Sequence, residues 1–205
     1  MKHVTRRMSL ALCSLVLVVL LAACGGAGGI AASTPTPPPP TQTPSPTPTP
    51  AVTVYTGDGY TINYPQDWKK STSVAQTTFQ DSLGVNVLGI VIVPNPNGIA
   101  QPGTALNTTL AAGVKGVNMT NTSPANLPAS ATLAGETWMQ KGTMGTASKN
   151  GASSSFEVVV LAVNHPANTP NTKLFELVYA GPLLGSTLLD AQIFQAMLAS
   201  FKFTS

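Results

Sequence analysis

The chain offers few side chains that can do chemistry, and most of them stand alone. His165, in "VNHPAN", is the single histidine after residue 3. Hydrolytic nucleophilic catalysis needs a nucleophile, a base and an orienting group. Serines abound, but none sits in a G-x-S-x-G elbow. A lone loop histidine is more commonly a surface residue than a base. Asp58, Asp67 and Asp81 leave a paired-carboxylate mechanism formally open, although their spacing does not argue for it. One histidine cannot build a histidine-rich metal site, and the acids lack the spacing of a calcium loop. The glycines of "CGGAGG" follow no strand, so they are not a dinucleotide motif. Catalytic residues, metal ligands and cofactors are all expected to be absent.

Tyr60, Ile62, Tyr64 and Trp68 form the densest aromatic cluster, in "YTINYPQDW". Tyr60, Ile62 and Tyr64 share one strand face at period two, and Trp68 can fold back over it after Pro65. Large aromatic rings usually bury, so the pattern predicts the start of a core. Tyr60, Tyr64 and Trp68 are at the same time the candidate face for a ligand or partner.

Charge narrows the options further. Of ten basic residues, Lys2, Arg6 and Arg7 occupy the N-terminus, and the other seven are lysines that balance seven acids, 7 − 7 = 0. A nucleic-acid site needs a basic stripe, so no nucleic-acid partner is expected.

The first residues read as an address. Lys2, Arg6 and Arg7 precede an apolar run from Met8 to Leu21, and small residues lead to Cys24 in "LAAC". The run is shorter than the ~20 residues of a membrane span. "LAAC" resembles the lipobox of bacterial lipoproteins. The resemblance implies cleavage after Ala23, acylation of Cys24, and a protein lipid-anchored to a bacterial membrane with its domain outside the cytoplasm. Two acyl chains give stable attachment. Cys13 would leave with the signal peptide, so the mature domain would carry no free thiol for disulfides, catalysis or metal binding.

Three segments follow from this: a signal peptide, 1–23; the modified cysteine with a Gly/Thr/Pro-rich tether, 24–50; and a globular domain, 51–205. Residues 34–50 carry nine prolines. Polyproline II at about 3.1 Å per residue makes them a semi-rigid spacer of roughly 50 Å.

Within the domain, "VTVY" and "YTINY" predict a hairpin around Asp58-Gly59. "VAQTTFQ", "VNVLGIVIV", "ETWMQKGTM", "SSFEVVVLAV" and "KLFELVYA" predict further strands, with a terminal "FKF". Leu106, Leu110, Val114 and Val117 predict a helix over 104–117; Leu189, Ile193, Ala196 and Met197 predict one over 185–199. Hairpin order makes the fold α+β with a largely antiparallel sheet. "VNVLGIVIV" and "FEVVVLAV" are apolar on both faces, so both faces of the sheet need cover.

"YTINYPQDWKKS" and "FQAMLASFKF" resemble the opening and closing segments of PsbP-like domains, the fold shared by extrinsic photosystem II subunits, their bacterial lipoprotein relatives and the Mog proteins. The resemblance implies an α/β/α sandwich over 51–205 around an antiparallel sheet. The domain has no arginine and few acids, unlike the photosynthetic members, and kinship of fold does not transfer function. The expected role is a non-catalytic interaction or accessory module for an unidentified envelope protein or component. The alternative is an extracytoplasmic hydrolase using His165 or a carboxylate pair. A solute receptor is disfavoured, because about 155 residues are few for two lobes around a cleft.

Overall fold

The computed structural model describes residues 51–113, 124, 127–149, 152–184, 187–188 and 191–204. The signal peptide, Cys24 and the tether lie outside the described residues. So do Val114, Val117 and Leu189 of the predicted helices.

The first hairpin is β1 (Val52–Gly57) and β2 (Tyr60–Pro65). Gly59 at its turn has φ 84°, a left-handed conformation that glycine adopts at little cost. Then come β3 (Lys69–Thr72), β4 (Gln76–Gln80) and β5 (Val87–Pro94), a short 3-10 turn at Pro96–Gly98, and α1 (Pro102–Gly113). The second half runs β6 (Ser130–Leu133), β7 (Glu136–Lys149), β8 (Ala152–His165), β9 (Lys173–Leu184), β10 (Thr187–Leu188), α2 (Ala191–Ser200) and β11 (Lys202–Phe203).

Two sheets result. The large one has the order β3-β4-β5-β9-β8-β7-β6, with β10 paired to β9; the small one is β1-β2-β11. All pairings are antiparallel. β5, β8 and β9 sit at the centre of the large sheet, which explains their apolar runs. On one face, Phe156, Val158, Val160 and Ala162 of β8 meet Leu106 and Leu110 of α1. On the other, Val159, Leu161 and Val163 join a larger core with Tyr60, Ile62, Phe194, Met197 and Phe201.

The coarse expectation holds: the described residues form a mostly antiparallel α+β fold with two helices. The finer α/β/α sandwich is not shown: opposite α1, the three-stranded sheet shares the cover with α2. The reason is the alternation in "YTINY", which gives β2 its own apolar face and lets the hairpin pack as a layer. β3, "KKST", has no apolar residue, and β6, "SATL", alternates over only four residues, Ala131 and Leu133 facing the core; the sequence reading predicts neither strand. Thr187–Leu188 is a strand where the sequence predicts helix 185–199, and the helix itself begins at Ala191.

Candidate functional site

His165 is the last residue of β8, and register places it opposite Lys173 at the start of β9. Glu136 opens β7 just after a tight turn at Ala134 (φ 52°) and Gly135 (φ 79°). Strand alternation puts Glu136, His165 and Lys173 on the face that carries Trp138, Val163 and Phe175. They form a polar row where the rim of the large sheet meets the small one.

The row is closely paired. His165 Nδ1 lies 2.7 Å from Glu136 Oε1. The carboxylate accepts, so Nδ1–H is assigned as the donor and Nε2 as the second ring nitrogen. Lys173 Nζ donates to Asp58 Oδ1 in the β1–β2 turn at 2.7 Å. The His165 imidazole lies flat on Phe203 of β11, with centroids 3.6 Å apart and planes within 9°. Phe203 is in turn parallel to Trp138 at 5.9 Å, and the Trp138 indole N–H donates to the Leu133 carbonyl at 3.0 Å. The loop behind His165 is also tied down. Asn95 Nδ2 donates to Asn164 Oδ1 at 2.8 Å, and the Thr172 hydroxyl donates to the Pro166 carbonyl at 2.6 Å.

Glu136 and His165 have the residue types that serve as orienter and base in hydrolytic sites. Among the described residues, the hydrogen-bond partner of His165 is Glu136. The three aspartates of the carboxylate-pair reading occupy three separate turns: Asp58 after β1, Asp67 after β2 and Asp81 after β4. Asp81 organises its own turn, accepting from the Val85 amide and from Asn86 Nδ2, each at 2.8 Å. No group of three or more His, Cys, Asp or Glu side chains suited to a metal ion occurs among the described residues.

The aromatic cluster points inward. Tyr60 is 1% exposed and Trp68 6%; Tyr64 is half-buried against the same core. Tyr60 stacks on Phe201 at 5.5 Å, Tyr64 leans on Phe79 at 4.7 Å, and Trp68 meets Phe194 edge-on at 5.9 Å. Burial raises the Tyr60 phenol to about 12, and burial likewise raises Tyr179 to about 12.

Two acids have surroundings that sequence reasoning missed. Glu136 pairs with His165 because the β7–β8 register brings the two strand ends together; the paired strands were legible, their register was not. Glu176 is buried on the α1 face of β9, where the Thr109 hydroxyl donates to Oε2. Burial raises its carboxyl above the ordinary value, and the Thr109 bond opposes that rise.

No family model and no curated protein matches the chain, so the PsbP-like resemblance rests on residues 60–71 and 194–203 alone. Among solved structures, the chain is similar to the crystal structure of LpqN, involved in cell envelope biogenesis of Mycobacterium tuberculosis. Identity is 17%, with 76% of this chain and 91% of that chain covered and a TM-score of 0.40. Likeness at that level assigns nothing to this chain.

Proposed function

We propose that the chain is a lipoprotein, anchored to a bacterial membrane through acylated Cys24, whose PsbP-like domain is a non-catalytic module that binds an envelope protein or component outside the cytoplasm. The supporting observation is how His165 is used. Its ring carries Phe203 at 3.6 Å and its Nδ1 holds Glu136, so the one imidazole of the domain joins β7, β8 and β11. That is a seam between two sheets, and the Lys173–Asp58 pair continues it to the β1–β2 turn. Among the described residues no helix is long and apolar enough to cross a membrane, which fits a lipid anchor as the attachment.

The hydrolase reading draws on the same Glu136–His165 pair. His165→Gln and Glu136→Gln separate the two. In the interaction-module reading, both variants lower the unfolding midpoint while crosslinking of the anchored protein to its membrane neighbours keeps the same pattern. A loss of hydrolytic turnover in native membranes at unchanged fold stability, with either variant, would establish the hydrolase instead.

A further inference from the structure

Among the described residues, no strand pairs with the outer edge of β1 in the small sheet; the charge set against β1 is Lys70, whose ammonium lies over the Tyr55 ring at 4.6 Å. The Gln66 amide donates to the Ala51 carbonyl at 2.9 Å, and this sets the parity of the β1–β2 ladder. In an antiparallel ladder, hydrogen-bonded and non-bonded pairs alternate. Residues 53, 55 and 57 therefore bond to β2, while the N–H and C=O groups of Val52, Val54 and Thr56 point off the free edge. The Thr204 amide on the Gly59 carbonyl, at 3.0 Å, gives β2–β11 the complementary parity. Among the described residues, β1 is thus paired on one side only.

Natural edges are blunted by charge, proline, bulges or brevity. β3 carries Lys69 and Lys70, β11 is two residues long and carries Lys202, and β6 has four residues. β1 has six residues, no charge, no proline and an unbroken register. Its outward side chains include Val52 and Val54, which are 60% and 64% exposed.

We infer that β1 is a self-association edge: two copies on one membrane pair their β1 strands antiparallel about a twofold axis through Val54, joining the two small sheets into one. In that register Val54 faces Val54 of the second copy, and Val52 faces Thr56. The three outward backbone positions of each strand coincide with hydrogen-bonded pairs. Because β1 is uncharged, self-pairing sets no like charges opposite each other, whereas a second copy approaching β3 would bring lysines together. The tether enters directly at the start of β1. Two antiparallel strands of this length separate the tether exits by about 20 Å, well inside the reach of two spacers of roughly 50 Å.

The contact is small. A six-residue edge buries far less than the ~800 Å² per partner of a standard interface, so pairing needs the raised effective concentration of a shared membrane. To that extent the inference rests on the lipid-anchored reading.

The test uses full-length protein in lipid vesicles, labelled at Leu83→Cys with donor and acceptor dyes. Leu83 is exposed, in the turn between β4 and β5. Energy transfer above the level of randomly spread copies is expected. Val54→Lys and Val54→Glu should each reduce it to background, since both set like charges face to face at an exposed position. Mixing the two variants should restore it. Val52→Pro, which deletes an outward N–H without touching the β2 ladder, should also abolish transfer. Background transfer in the parent overturns the proposal and leaves the edge to a strand of another protein. Transfer unchanged by Val54→Lys overturns it equally, because the copies then meet elsewhere. Mass spectrometry of the N-terminus is read first. If Cys24 is unmodified, the anchor reading fails by itself, and the same variants are then compared in solution at about 100 µM.

Discussion

Trp68 closes the core over β2 from outside the strand, edge-on to Phe194. Trp68→Ala should cost about 3–5 kcal/mol, the usual range for a buried large aromatic. Urea midpoints would show the loss, and a variant as stable as the parent would refute the packing role. Glu176 sets a pH dependence of opposite sense to a salt-bridged acid. Its carboxyl, like that of Glu157, is raised by burial above the reference 4.5. A folded value above the unfolded one means that the folded state binds more protons. Stability is then complete below about 4.5 and declines as pH rises through the folded value. α1, which covers Glu176, has no ionisable side chain, and Lys141 on β7 is engaged with Asn107 at 2.7 Å. Glu176→Gln should flatten the decline measured from about pH 4 to 8; an unchanged slope would place its origin in other groups.

Among the elements, the β1–β2 hairpin is both a cover for the large sheet and a strand pair held to tight tolerances. The Tyr60 ring, itself stacked on Phe201, lies over Gly57 so closely that a Cβ there would fall 2.2 Å from the ring. Gly57→Ala should therefore destabilise by about 1–3 kcal/mol through overpacking. Gly135, in the β6–β7 turn, makes a useful contrast: a Cβ meets nothing within 4 Å, but φ is 79°. Gly135→Ala should cost about 1–2 kcal/mol, from left-handed backbone strain alone. Equal tolerance of alanine at both sites in thermal unfolding would contradict this account. The hairpin that holds Gly57 is legible in the sequence, whereas the one that holds Gly135 is not, because β6 has only four residues. The ring above Gly57 is not legible either, because Tyr60 contacts it across the turn only once the register is set.

For the whole molecule, the proposed lipid anchor places attachment on one thiol. "LAAC" behind a charged segment and an apolar run predicts that residues 1–23 are removed and Cys24 is acylated. After Arg7 the charges cancel, so the mature chain has no polybasic patch to hold a bilayer. Cys24→Ala should block lipidation, with the precursor held in the membrane by its own apolar segment. A conventional cleavable signal joined to 25–205 should release a soluble domain. Mass spectrometry of the mature N-terminus decides between these, and an intact Met1 would rule the lipoprotein assignment out.

Several properties follow from local pattern alone. The apolar alternation of "YTINY", the continuous runs of "VNVLGIVIV" and "FEVVVLAV", and the Asp58-Gly59 turn determined strands, a covered sheet and the antiparallel α+β class, because period and turn chemistry are properties of neighbouring residues. The inward aim of Tyr60 followed from the same alternation, and that of Trp68 from the turn after Pro65. Tertiary structure alone decided what depends on register and layer order. It paired Glu136 with His165 across strand ends 29 residues apart, laid Phe203 on the imidazole, and brought Thr109 to Glu176 beneath α1. It also gave the hairpin and α2 joint cover of one face, and left Val52 and Val54 on an unpaired edge. An edge is defined by what fails to lie beside it, and no local stretch of sequence carries that information.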